Sequence, residues 1–272
     1  MARNRRRKDR GDKAKGIAFM VLGLVLIAGL AGGGYWLSQK RVKLDAVTGC
    51  PINGPTAIHA ILIDRSDPIS PQQAQQVRLV MDTYIARAKV GERFDLYVAS
   101  GDTVNVLTPV ASVCSPGRGD QANELYENPQ MIQRQFEERF VGVLKENLAR
   151  LLASATAESS PILESVKAAA VSSFGGVEPG QIPLQMTLVS DLVQHSQGNS
   201  HIRGETSFDE LSKRPAWRSL QANLKGATVN VLYLLRPGAV RNGQPVQNRG
   251  HQLFWEKALS GGGASEVKFT SF

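Results

Sequence analysis

The chain has 272 residues, 42% of them hydrophobic and 26 of them glycine, an ordinary globular composition that excludes wholesale disorder and leaves room for one large domain with appendages or two small ones. Its formal net charge is +8, but residues 1–16, MARNRRRKDRGDKAKG, hold eight Lys/Arg against two Asp, so the other 256 residues share only about +2. A charge confined to one tail argues against a nucleic-acid-binding face.

Residues 17–38, IAFMVLGLVLIAGLAGGGYWLS, contain no charged side chain. As a helix at about 1.5 Å per residue they reach roughly 33 Å, enough to cross the hydrocarbon core of a bilayer. Tyr35 and Trp36 stand at the far end, where amphipathic aromatics prefer the interface. The basic tail before the span outweighs Lys40, Arg41 and Lys43 after it. The positive-inside rule therefore expects a single-pass inner-membrane protein with a cytoplasmic N-terminus and a periplasmic domain. A cleaved signal peptide processed after Ala31 is the alternative, and it exports the same domain. Gly29 and Gly33 form a GxxxG, which offers a dimer contact between two such helices. The only cysteines, Cys50 and Cys114, lie beyond the span, where an oxidising compartment favours their disulfide.

Residues 39–55 read as a linker, ending in the turn formers TGCPINGP, and residues 56–272 as the exported domain. AIHAILI (57–63) reads as a strand. Helical spacing of Val77, Val80, Met81, Tyr84 and Ile85 follows it, with Pro71 in the first turn. RFDLYVAS and VNVLTPVASV read as two strands joined by the turn GDT. A polar loop at 115–130 contains Arg118-Gly119-Asp120, a tripeptide explained by ordinary turn chemistry; as a loop beyond Cys114 it is a candidate partner surface. Met131, Phe136, Phe140, Leu144, Leu148, Leu151 and Leu152 mark one helix face. SSPILESVKAAAVSSF starts another helix, with serines placed to cap it and Pro161 just inside.

LQMTLVSD reads as a buried strand ending on an aspartate, and residues 195–215 as a solvated insertion or second partner surface. AWRSLQANL (helix), TVNVLYLL (strand), HQLFWEKALSG (helix) and SEVKFTSF (edge strand) complete the chain. Strands alternating with helices predict an α/β fold: a doubly wound, mainly parallel sheet with one antiparallel edge strand, behind one transmembrane helix. Ligands of such sheets bind beyond the carboxyl ends of strands, and Asp64 and Asp191 both end predicted central strands.

Around these aspartates three separated segments, DRSDP, SSPILESVKAAA and LVSDL, resemble the metal-ion-dependent adhesion site of von Willebrand factor type A (VWA) domains. The resemblance covers roughly residues 55–272. It implies Asp64 and Ser66 from the first segment, Ser160 (or its neighbour Ser159) from the second, and Asp191 from the third. Two departures stand out. Pro68 occupies the place of the family's second serine, with Asp67 an extra acid beside it, and SDL replaces a glycine-bearing turn.

Carboxylates and hydroxyls are hard donors, suited to Mg²⁺, or to Mn²⁺ or Ca²⁺, rather than to softer metals. Four such ligands leave coordination positions for waters and an acidic group of a partner protein. The competing explanations are a polar turn for DxS and a helix cap for Ser159 and Ser160. A hydrolase built from Asp64, His195 and a serine is a further alternative, although no GxSxG elbow is present. A scaffold with a degenerate metal site is another.

Overall fold

The segment AIHAILID forms β1 (Ala57–Asp64), and its residues from Ile58 onward are buried. A strand apolar on both faces needs cover on both, which helices flanking a parallel sheet supply. The computed structural model describes residues 2–39, 43–45, 49–99, 106–123, 127–153 and 157–272. In it β1 lies inside a six-stranded sheet, with β2 (Glu92–Ala99) and β4 (Leu184–Ser190) parallel on its two sides. β3 (Ala111–Cys114) closes one edge antiparallel to β2, while β5 (Thr228–Tyr233) and β8 (Glu266–Ser271) extend the other in parallel. The order β3-β2-β1-β4-β5-β8 is the mainly parallel, VWA-like α/β arrangement expected.

Alternation along β1 divides the core. Ile58, Ala60 and Leu62 face the layer of α5 (Ile162–Phe174) and α8 (Arg249–Gly261). Ile61 and Ile63 face α2 (Pro71–Arg87) and the helical run α3 (Pro129–Gln135), a π turn (Phe136–Val141) and α4 (Gly142–Leu151). In that run Phe136, Phe140, Leu144, Leu148, Leu151 and Leu152 are buried as their spacing predicts, but Met131 is exposed, because it precedes the stretch that meets the sheet. α2 starts where Ser70 caps it. The hydroxyl accepts from the Gln73 amide and the Gln73 side chain accepts from the Ser70 amide. Ser70 is thereby committed to a helix end.

Three local expectations change. The second strand of the early hairpin begins only at Ala111; residues 106–110 are irregular, and the expected turn at 101–103 lies outside the described residues. Residues 195–215 are not simply a solvated insertion, since Asn199, Ser200 and His201 are fully buried and only short helices α6 (Phe208–Leu211) and α7 (Ala216–Leu220) follow. A small hairpin of β6 (Val240–Arg241) and β7 (Gln244–Pro245) interrupts the approach to α8.

The disulfide between Cys50 and Cys114 is formed and ties the segment before β1 to β3, while a bridge between Leu44 and Pro51 closes that segment on itself. The chain divides into two units, residues 1–43 and 44–272. The first contains α1 (Ala2–Gln39), which runs through the basic tail as well as the apolar stretch; its window Phe19–Trp36 is long and apolar enough to cross a membrane.

Candidate metal centre

The chain runs from β1 to β2 and β3 on one side, then returns to place β4 on the other side of β1. Strand order therefore reverses between β1 and β4, and their carboxyl ends form the crevice in which such folds bind ligands. Register brings Ile63 level with Val189, so Asp64 stands beside Ser190 and Asp191 follows it. Main-chain bonds between Ser160 and His195, from each amide to the other's carbonyl, draw the segment before α5 against the loop after β4.

Three of the four expected site residues meet in one hydrogen-bonded cluster. The Ser66 amide and hydroxyl donate to Asp64 Oδ1 at 2.9 and 2.7 Å. The Ser160 hydroxyl donates to Asp64 Oδ2 at 3.3 Å and lies 3.0 Å from the Ser66 hydroxyl. Ser190, which no motif singled out, donates to Asp64 Oδ2 at 2.8 Å. Asp191 is coupled to this group through charge rather than through a hydrogen bond. Its carboxyl is 3% exposed, and burial together with the neighbouring Asp64 charge raises its pKa to about 6. The Val193 amide and Arg236 pull in the opposite direction.

Ser159 is not part of the cluster, and Asp67 is exposed at its edge. The polar turn and the metal ligand are compatible readings of DRS, since the Ser66 amide does bond the Asp64 carboxylate. The helix-cap reading of Ser160 is corrected. Pro161, not a serine, occupies the N-cap of α5, and the buried Gln194 side chain accepts the Leu163 amide at 2.9 Å. Gln194 satisfies the helix end, which frees the Ser160 hydroxyl for Asp64. His195 does not serve Asp64 either; its Nδ1 pairs with the Ser200 hydroxyl at 2.8 Å.

Arg236 is a further residue that no motif singles out. It follows the end of β5, the strand beside β4, and its Nε donates to Asp191 Oδ2 at 3.1 Å. Its other end donates to the main-chain carbonyl of Pro68. Gln247 braces the same loop by donating to the carbonyls of Asp191 and Leu234. A cation immediately beyond the carboxyl end of a central strand is the sequence feature that marks Arg236. Ser190, Gln194 and Gln247 carry no such mark.

Carboxylate and hydroxyl oxygens are hard donors of the kind that small divalent cations take. The separations of 2.7, 3.0 and 3.3 Å within the Asp64–Ser66–Ser160 group are those of hydrogen bonds among the side chains themselves. Among the described residues no three His, Cys, Asp or Glu side chains cluster as a metal site, so hydroxyls would have to share the coordination. Beside Asp191 and Arg236 a groove of about 1050 Å³ opens to solvent, with Leu235, Val240 and Ile202 exposed along it.

No protein-family model matches the chain, and no curated protein matches it. Among solved structures it is similar to an aerotolerance-related membrane protein from Bacteroides fragilis NCTC 9343, carrying multiple mutations to serines. Identity is 13%, 79% of this chain and 91% of that one are covered, and the TM-score is 0.38.

Proposed function

We propose that the chain is a membrane-anchored, VWA-like protein-binding or assembly component that captures a partner at the carboxyl end of β1 and β4 with a divalent cation, Mg²⁺ in the first place. Asp64, Ser66, Ser160 and Asp191 would hold the ion. The observation that carries this reading is the convergence of Asp64, Ser66 and Ser160, from segments far apart in the chain, within hydrogen-bonding distance at the switch point of the sheet. A bound ion supplies positive charge able to accept a carboxylate from a partner. The protein's own share is to pre-position the hydroxyls against Asp64 and to keep the pocket floor buried, where an ion pair is screened less. The groove along Leu235, Val240 and Ile202 supports the partner reading by offering apolar contact area next to the ion.

In the same proposal α1 anchors the protein in the inner membrane, with the basic tail in the cytoplasm and the domain in the periplasm. The tail's net +6 and the formed Cys50–Cys114 disulfide support that orientation. Self-association through Gly29 and Gly33 remains part of the proposal.

The test is calorimetric titration of the full chain in lipid nanodiscs with Mg²⁺ and Mn²⁺, beside Asp64→Asn and the Ser66→Ala/Ser160→Ala pair. Saturable binding that both variants lose supports the reading. Binding unaffected by either set of substitutions places the ion elsewhere and ends it.

A further inference from the structure

We infer that Arg236 is the resident cation of this site and that a divalent ion binds only by displacing its guanidinium from Asp191. This rests on the metal reading above and goes beyond it, because it assigns the site a built-in competitor.

The geometry is direct. Arg236 spans the two loops that form the crevice, donating from Nε to Asp191 Oδ2 at 3.1 Å and from its far end to the Pro68 carbonyl. Its backbone amide is held by the Gln247 side chain, so the residue starts from a fixed point beside Asp191. Two buried carboxylates, Asp64 and Asp191, lie close enough to repel, and Arg236 is paired to Asp191. The guanidinium offsets, at Asp191, the charge of Asp64.

A divalent ion asks for the same carboxylate oxygens. With both cations in place, a dication would lie close to a guanidinium in a mostly buried pocket, where repulsion is only partly screened. Arginine cannot escape by losing a proton, so it has to move. It has somewhere to go: its side chain is 21% exposed, and the groove beside it opens to solvent. Pro68 adds no side-chain oxygen to the crevice, and its main-chain carbonyl accepts from the far end of the arginine.

The experiment is Mg²⁺ titration by calorimetry of the full chain in zwitterionic nanodiscs, comparing wild type with Arg236→Gln and Arg236→Lys. A second readout follows the Arg236 Nε–H resonance in ¹⁵N-arginine-labelled wild type. Arg236→Gln is expected to bind Mg²⁺ roughly ten- to hundred-fold more tightly, the equivalent of one charge-assisted hydrogen bond. Arg236→Lys, which keeps the charge and loses the fork, should gain less, and the wild-type Nε–H signal should shift as Mg²⁺ saturates. If the glutamine variant does not fold, the lysine variant and the resonance decide. Equal or weaker binding in the variants, or an unmoved resonance at saturation, overturns the competition while the metal reading stands. Failure of both wild type and Arg236→Gln to bind any Mg²⁺ overturns both.

Discussion

Ser160 and Asp64 are 96 residues apart in the chain, and their side chains meet at 3.3 Å, Oγ to Oδ2. Ser159, the immediate neighbour, takes no part. The contact exists because Gln194 caps α5 in place of a serine and because the main chains of Ser160 and His195 are paired. Removing the hydroxyl leaves a buried carboxylate with one donor fewer, at a cost of about 1–2 kcal/mol. Ser160→Ala should therefore lower stability by that amount, whereas Ser159→Ala should stay within about 0.5 kcal/mol of wild type. Urea unfolding of the two variants separates them; equal losses would contradict the assignment of Ser160 to the cluster.

Leu192 sits directly after Asp191 with φ +60°, a backbone region that costs a non-glycine residue roughly 1–2 kcal/mol. Its carbonyl is clamped by Trp255 Nε1 at 2.8 Å and His251 Nε2 at 3.0 Å, and its side chain is fully buried. Replacing it by glycine relieves the strain but empties a core position, which costs about 2–5 kcal/mol. The cavity should win. Leu192→Gly is expected to be destabilised by roughly 1–3 kcal/mol, and a thermal midpoint above that of the wild type would show that strain is the larger effect.

Three histidines are buried and held neutral, their pKa values lowered by desolvation to about 3 for His59 and His201 and about 4 for His251. The unfolded chain takes up protons near pH 6.5 that these residues refuse when folded, so their contribution is present above that pH and is lost as pH falls towards 4. Asp191 works the other way. Its folded pKa of about 6 lies above the ordinary 3.8, so acidification below pH 6 favours the folded state at that residue. Three protons against one leave a net uptake of about two on unfolding, or roughly 2–3 kcal/mol per pH unit near pH 5. Urea midpoints should fall between pH 6.5 and 5; a midpoint that holds steady or rises over that range refutes the balance.

The Cys50–Cys114 disulfide closes a loop of 64 residues between the segment before β1 and the antiparallel edge strand β3. In the chain-entropy model such a loop contributes about 4 kcal/mol. The Cys50→Ser/Cys114→Ser pair should lose stability of that order, and adding a reductant to it should have no further effect. Retention of wild-type stability in the double variant would place the tether's energy elsewhere.

Much of the architecture was legible in the order of residues, because hydrophobic periodicity reports directly which faces must leave water. β1 is apolar on both faces and so had to be central; the 3.6-residue spacing in α2 and α4 named their buried sides; and the uncharged stretch before residue 39 measured a membrane's thickness. Asp64 and Asp191 were visible as acids ending such strands. Proximity across the chain was not visible. Whether Ser160 caps a helix or serves Asp64 depends on Gln194, 34 residues later, and whether Asp191 has a cation depends on Arg236 from the loop after β5. Those choices are made by strand order and register, which set distances between residues that no local pattern connects. The sequence alone determined the classes of side chain available at the crevice, and the tertiary structure decided which hydroxyl, and which cation, faces each carboxylate.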